Sequence, residues 1–245
     1  MKPTPKNDLY TITITNNSGV LQSYALFAAA PSITPETKPI HNDIITVFKN
    51  VSGNGGQVFF TMPIAQLHAI CGTIQRDGLQ NGVQTEIIDK ERVQLGRVTD
   101  DSKMVPGSTC SVEVQKGSLI FSRRTAGNGV GEPEAFCVCT GTDFAYTEAR
   151  SGRFVLGYGV STSTQMAKDI GPFALFCPTP NTVYQIKPSS VFYIAKGVFA
   201  PRDETPEELE TSSCKIDFGE LQSNDAGLLH DEFGKLHLVV VKPKL

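Results

Sequence analysis

The fold class of this chain is decided by residues 9–15, LYTITIT, near its beginning. Tyr10, Ile12 and Ile14 alternate with threonines, and a period of two is typical of a β-strand with one buried face. A cluster of turn-forming residues, Asn16-Asn17-Ser18-Gly19, follows directly. The sequence therefore predicts a first strand that ends in a tight turn.

Similar short apolar or alternating stretches recur along the rest of the chain, and Gly, Pro or Asn residues separate most of them. The predicted strands after the first are 23–28, 44–51, 57–62, 65–74, 109–115, 118–123, 134–140, 153–160, 173–177, 182–186, 191–198, 213–218 and 236–241. Of these, 65–74 is also open to a helical interpretation. Lys116-Gly117 predicts a hairpin turn. Roughly a dozen short strands of this kind predict an all-β fold, an antiparallel β-sandwich.

Helix is predicted only as one or two short turns. Thr205-Pro206-Glu207-Glu208 has the residue types that begin a helix, and residues 163–169 are a second candidate. Residues 31–43, with three prolines, are predicted to be a loop, and residues 76–107 to be polar and hairpin-like. A chain of 245 residues suits a single sandwich domain over 1–245, or two fused sheet halves.

Composition excludes several classes of protein. The apolar share is 40%, which is enough for a packed core, and the net charge of −3 does not favour a nucleic-acid surface. The longest apolar run is far shorter than the ~18 residues of a membrane helix. The polar N-terminal sequence lacks the apolar stretch of a secretory signal, so we expect a cytoplasmic protein that binds neither membrane nor nucleic acid.

No cofactor or metal is predicted. The glycine-rich residues 127–131 lack the spacing of a dinucleotide-binding loop and are better explained as a hairpin loop. Cys137 and Cys139 form a C-x-C pair, and His68 and Cys71 an H-x-x-C pair, but structural zinc sites show two ligand pairs at tight spacing. We expect all six cysteines to be buried free thiols.

Among catalytic mechanisms, general acid–base catalysis is the one against which the sequence gives the least evidence. His68 lies within an apolar run, and Asp143 follows a predicted strand. Tyr158 lies between two glycines that would let a ligand approach, and Tyr193 lies in the middle of a strand. These four side chains are the candidate catalytic residues, with ordinary strand packing as the alternative explanation.

The strand sequences resemble those of RhiA-type proteins, a bacterial family known from rhizosphere expression. The resemblance rests on residues 10–18 and 24–31 at the start and on 171–180, 192–197 and 236–241 later. Ala28 stands where the family has Gln, and the family's Trp-containing stretch has only Phe48-Lys49-Asn50 as a counterpart. The resemblance implies a β-sandwich and carries over no catalytic residue.

Two hypotheses about function follow. The first is a β-sandwich that binds a small apolar ligand or a protein partner, favoured by scarce histidine and the lack of cofactor motifs. The second is a cofactor-independent enzyme of specialised metabolism, an isomerase, cyclase or hydrolase, that steers an apolar substrate with one His, Asp or Tyr group. A deep cavity with a His or Asp pointing inward beside a Tyr would favour the enzyme, and a solid core with an apolar surface patch would favour the binding module.

Overall fold

The computed structural model describes residues 9–63, 66–75, 84–122, 129–161, 170–201, 203–205, 207–221 and 223–239, which are mostly β-strands. The strands are β1 Leu9–Asn16, β2 Gln22–Ala28, β3 Ser32–Thr34, β4 Ile40–Asn42, β5 Thr46–Val51, β6 Gly56–Pro63, β7 Leu67–Gln75, β8 Gln84–Arg92, β9 Arg97–Val98, β10 Met104–Val105, β11 Thr109–Gln115, β12 Ser118–Phe121, β13 Phe136–Thr140, β14 Phe154–Ser161, β15 Ile170–Phe176, β16 Val183–Lys187, β17 Val191–Lys196, β18 Cys214–Asp217, β19 Asp225–His230 and β20 Leu236–Val239. The helices are α1 Tyr146–Ser151, α2 Glu207–Ser212 and α3 Phe218–Leu221. The predicted all-β class is confirmed.

Two four-stranded sheets pack face to face and form what we call the first sandwich. Their strand orders are β20-β19-β1-β6 and β18-β17-β2-β5. Ile12 and Ile14 of β1 are fully buried between the sheets, as the alternation in residues 9–15 predicts. Across the interface the ring of Phe48 on β5 meets that of Phe60 on β6, with centroids 4.9 Å apart.

Two five-stranded sheets form the second sandwich in the same way. Their orders are β12-β11-β13-β16-β3 and β4-β15-β14-β7-β8. Phe136 on β13 packs edge-on against Tyr158 on β14 at 6.4 Å, and Phe176 on β15 against Tyr184 on β16 at 4.9 Å. These rings are buried, so aromatic pairs tie the two sheets together.

One continuous apolar cluster joins the two sandwiches. It contains buried side chains from all four sheets, including Ile12, Leu67, Phe136 and Phe192. The rings of Phe173 on β15 and Phe192 on β17 meet at 5.9 Å and link the two sandwiches directly. Burial of apolar area is therefore shared between the sandwiches.

Most strand pairs are antiparallel, but two pairs are parallel. β1 pairs in parallel with β19, so that Thr11 lies opposite Asp225, and β11 pairs in parallel with β13. Parallel neighbours need a connection longer than a hairpin. The chain satisfies this for β1 and β19 by placing the second sandwich between them in sequence.

The hairpin predicted at Lys116-Gly117 is confirmed. β11 and β12 pair antiparallel from Gln115 opposite Ser118. Lys116 has φ 53° and Gly117 φ 78°, so both turn residues adopt the left-handed conformation of a type I′ turn. The twist of such a turn matches the twist of the two strands.

Several elements lie where the sequence predicts none. β3 and β4 occur in residues 31–43 and are three residues each, too short for alternation to show; they add to the edges of the second sandwich beside β16 and β15. Residues 76–107, predicted to be hairpin-like, contain β8 and the antiparallel pair of β9 and β10, whereas β19, α1 and α3 are not predicted from the sequence. α2 confirms the helix predicted from Thr205, whereas the turn predicted at 163–169 falls outside the described residues.

Candidate functional site: a cavity where the sandwiches meet

A cavity of about 230 Å³ lies where the two sandwiches join, and we call it the junction cavity. The first sandwich contributes Tyr10, Met62 and Phe192 to its wall. The second sandwich contributes Leu67, Val160 and Phe173. Both sets are inward-facing strand residues, so strand alternation itself makes the wall apolar.

The aromatic side of the junction cavity is held by ring stacking. Tyr10 stacks on Phe218 with centroids 4.0 Å apart, and Phe192 packs edge-on against both rings. Burial raises the pKa of Tyr10, and the nearby charge of Asp217 raises it further. Tyr10 therefore stays a neutral hydroxyl at physiological pH, and it can donate a hydrogen bond at the wall.

Polar residues gather at the opening of the junction cavity. Glu134 and Lys187 form an ion pair of 2.5 Å, with both side chains at least half exposed. Ser189 and Ser190 lie beside them on the short connection between β16 and β17. Glu134 has φ 62°, in the left-handed region. For a residue with a Cβ this backbone conformation is strained by roughly 1 kcal/mol or more, and such strained residues cluster at functional sites.

The side chain of Tyr158, a sequence-predicted candidate, packs against the lining of the junction cavity. Its ring is fully buried and packs edge-on against Phe173 at 5.4 Å. The hydroxyl faces the backbone of Ser189 but makes no hydrogen bond of ordinary geometry there. Burial raises the pKa of Tyr158, so the phenol stays neutral and cannot act as a base near pH 7.

The glycine beside Tyr158 has a different role from the predicted one. A Cβ on Gly157 would lie 1.9 Å from the carbonyl oxygen of Ala174 on the neighbouring strand β15. Gly157 therefore lets β14 and β15 approach each other closely, and the space that a ligand would need there is filled by backbone.

His68 lies on the face of β7 that points away from the main core. Its neighbours Leu67 and Ala69 belong to the main cluster, whereas His68 is half-buried on the other side of the strand. The ring atom Nδ1 of His68 is hydrogen-bonded to the carbonyl oxygen of Gln66 at 2.9 Å. Burial lowers the pKa of His68, so the imidazole is neutral at pH 7.

Asp143 and Tyr193 lie elsewhere in the molecule. Asp143 is exposed before α1, and its carboxylate accepts a hydrogen bond from the backbone N–H of Val114. Tyr193 stacks on Phe27 at 5.1 Å in a small cluster on the opposite face of β17 and β2. The four candidate catalytic residues therefore lie in separate parts of the molecule, and the structure does not assemble them into one site.

The residues at the cavity opening were not singled out from the sequence. Glu134, Lys187, Ser189 and Ser190 come from two separate segments and match no motif. The one local signal is Pro188-Ser189-Ser190, a turn-forming run between two apolar strands. Such a run indicates a loop and does not indicate a ligand.

The cysteines are all unbridged thiols. Cys71, Cys110 and Cys137 are buried, and the other three are half-buried. Burial raises the pKa of Cys110 to about 12, so its thiol is protonated and unreactive at neutral pH. The sulfur atoms of Cys137 and Cys139 lie 3.9 Å apart on one face of β13, and within the described residues no group of three potential metal ligands occurs.

Comparison of the chain with protein-family models, with curated proteins and with solved structures finds no significant match. The resemblance to RhiA-type proteins therefore rests on the sequence alone and stays a prediction. No helix in the described part of the chain has the length and apolar character needed to cross a bilayer.

Proposed function

We propose that this protein binds a small, mainly apolar molecule in the junction cavity. The observation that carries the proposal is an apolar space walled by strands of both sandwiches, with polar groups gathered at one opening. Ligand sites in proteins have this composition, a mostly apolar wall with a few polar groups that fix orientation. Burial of the ligand's apolar surface supplies the affinity.

The volume limits the ligand. About 230 Å³ is below the roughly 300–1,000 Å³ of sites for drug-sized molecules. The ligand is therefore a compact molecule with one polar end, such as an alcohol or amide. That end would lie at the opening, where Ser189, Ser190 and the Glu134–Lys187 pair offer donors and acceptors.

Titration calorimetry with straight-chain alcohols from hexanol to decanol tests the proposal. We expect saturable binding with a negative heat-capacity change, because apolar surface leaves water. Affinity should rise with chain length and then fall once the chain exceeds the cavity. Absence of saturable binding for every alcohol would overturn the proposal.

Two variants locate the binding. Leu95, a half-buried lining residue, is replaced by tryptophan so that the new ring fills the junction cavity. The matched control is Val98→Trp, because Val98 is 58% exposed on β9 and does not line the cavity. Leu95→Trp should lose alcohol binding and Val98→Trp should keep it. If both variants bind alcohols with the same affinity, the alcohol site is not the junction cavity. Val160→Phe, a filling change on another wall, serves if Leu95→Trp does not fold.

The cofactor-independent enzyme stays the alternative prediction. None of its four candidate residues lines the cavity; Tyr158 packs its ring against the lining residue Phe173, and its buried phenol has no hydrogen-bonded base beside it. This arrangement favours binding over acid–base catalysis. Docking of a protein partner, membership of the RhiA-type family and a cytoplasmic location likewise stay predictions from the sequence.

A further inference from the structure

A second and larger cavity, of about 480 Å³, lies beside α1 on the second sandwich, and we call it the basic cavity. Four basic side chains line it: Lys38, His41, Arg150 and Arg153. Its other titratable lining residues are Tyr146 and Cys177, so none of the described lining residues is a carboxylate. This composition contrasts with the whole chain, whose net charge is −3.

The two arginines of the basic cavity have no acidic partner in the described part of the chain. Lys38 pairs with Glu36 at 2.8 Å, and His41 shares a short hydrogen bond with Glu204. In contrast, neither Arg150 nor Arg153 has a carboxylate at ion-pair distance among the residues that the structure describes. Two guanidinium groups are therefore available to an anion from solution.

The backbone places Arg153 at the rim in an uncommon conformation. α1 ends at Ser151 and is capped by Gly152, which has φ −76°, and Arg153 follows with φ 53°. Glycine usually occupies a left-handed position after a helix, because a Cβ is strained there. The sequence instead has an arginine at this position, three residues after Arg150, and both line the cavity.

The inner part of the basic cavity is apolar. Ala149 and Phe154 are buried beneath it, and Phe154 packs edge-on against Phe144 at 6.2 Å. Tyr146, which is 45% exposed, lies at the rim and presents its ring to the space. A planar ring would gain apolar and stacking contacts here that a simple inorganic ion lacks.

We propose that the basic cavity binds a phosphate monoester that carries an aromatic ring. The phosphate has a charge of about −1.5 to −2 at pH 7, and arginine forks match its oxygens in bidentate hydrogen bonds. Arg150 and Arg153 bind the phosphate, and the ring lies against Tyr146 and Phe154. This site is separate from the junction cavity and does not rest on the alcohol proposal.

Titration calorimetry with phenyl phosphate at low ionic strength tests the site. Inorganic phosphate should bind more weakly, because it leaves the apolar part empty, and phenol should not displace phenyl phosphate from the basic cavity, because it has no charge. Equal affinity for phenyl phosphate and inorganic phosphate would overturn the assignment of the ring. No binding of phenyl phosphate would overturn the whole proposal.

Variants that remove a single positive charge identify the side chains that bind the phosphate. Arg150→Gln should weaken phenyl phosphate binding about tenfold or more, the effect of losing one charge-assisted contact. Arg97→Gln is the matched control, because Arg97 is an exposed arginine on β9 outside the basic cavity. Leu95→Trp, which fills the junction cavity, should also leave phenyl phosphate binding unchanged. An equal loss in Arg97→Gln would indicate general electrostatic attraction and overturn the site.

Arg153→Gly separates binding from folding. Glycine suits the left-handed conformation at this position, so the variant should melt at the wild-type temperature or above while phenyl phosphate binding falls about tenfold or more. That combination would show that the arginine is present for the ligand. Undiminished binding by Arg153→Gly would contradict the proposal.

Discussion

Single buried polar groups decide much of the chemistry open to this protein. Tyr158 and Tyr24 are both fully buried phenols, yet their hydroxyls differ. The Tyr24 hydroxyl lies 2.8 Å from Nδ1 of His230, whereas that of Tyr158 lacks a hydrogen-bond partner. A buried polar group without a partner costs about 1–3 kcal/mol.

Removal of the two hydroxyls should therefore have opposite effects. We expect Tyr158→Phe to leave the free energy of unfolding unchanged or to raise it by up to about 1 kcal/mol, because an unpaired group is lost. Tyr24→Phe should lower it by about 1–2 kcal/mol, because His230 loses its partner. Urea unfolding followed by circular dichroism measures both. A clear loss of stability in Tyr158→Phe would mean that its hydroxyl is bonded in solution.

His230 should also make stability depend on pH. It is 2% exposed, and burial lowers its pKa, with the charge of Lys196 lowering it further. Protonation then favours the unfolded chain, where the histidine pKa is about 6.5. This contribution is complete above pH ~6.5 and is lost as the pH falls below it. In His230→Gln, urea unfolding between pH 7 and pH 5 should show a shallower decline, and an unchanged slope would assign the decline to other groups.

At the scale of elements, strands with regular alternation were predictable and short or irregular ones were not. β1 was identified because three inward residues alternate with threonines. β19 also alternates, with Ala226, Leu228 and His230 buried. Its sequence does not show this clearly, because it contains a glycine and has a histidine at an inward position. α1 is only six residues long, and its main local signal is Glu148, which accepts the N–H of Ala145 at 2.6 Å.

The β11–β12 turn offers a direct test of an element. Gly117 has φ 78° and open space where a Cβ would lie, so Gly117→Ala should cost about 1 kcal/mol from backbone strain alone. Lys116→Asn should gain a few tenths of a kcal/mol, because asparagine tolerates φ 53° better than lysine. Guanidinium unfolding gives both values. A neutral Gly117→Ala would mean that the turn relaxes to another type.

At the scale of the whole molecule, the sandwich class followed from strand patterning, but the sites did not. The junction cavity takes Tyr10 from the first strand and Phe192 from the seventeenth, and the basic cavity joins Lys38 to Arg150. Neither set is close in sequence. Their proximity depends on how the two sandwiches and their edge strands pack, which local periodicity does not encode.

The shared core predicts how the molecule unfolds. Because one apolar cluster contains side chains of all four sheets, we expect the two sandwiches to unfold together as the single domain that the sequence predicts. Calorimetry should give one peak with equal calorimetric and van't Hoff enthalpies. Phe192→Ala, which removes the ring between the sandwiches, should cost about 3–5 kcal/mol. Two separate peaks in the wild-type protein would show two independent domains.

The parallel pairing of β1 with β19 has a consequence for synthesis in the cell. β1 leaves the ribosome early and can pair with β6 on one side, but its other edge waits for β19. At about 5–20 residues per second, that wait lasts roughly 10–40 s. An unpaired strand edge invites association with other chains. The nascent protein therefore carries an open edge until β19 has been made, and this is where a chaperone would act.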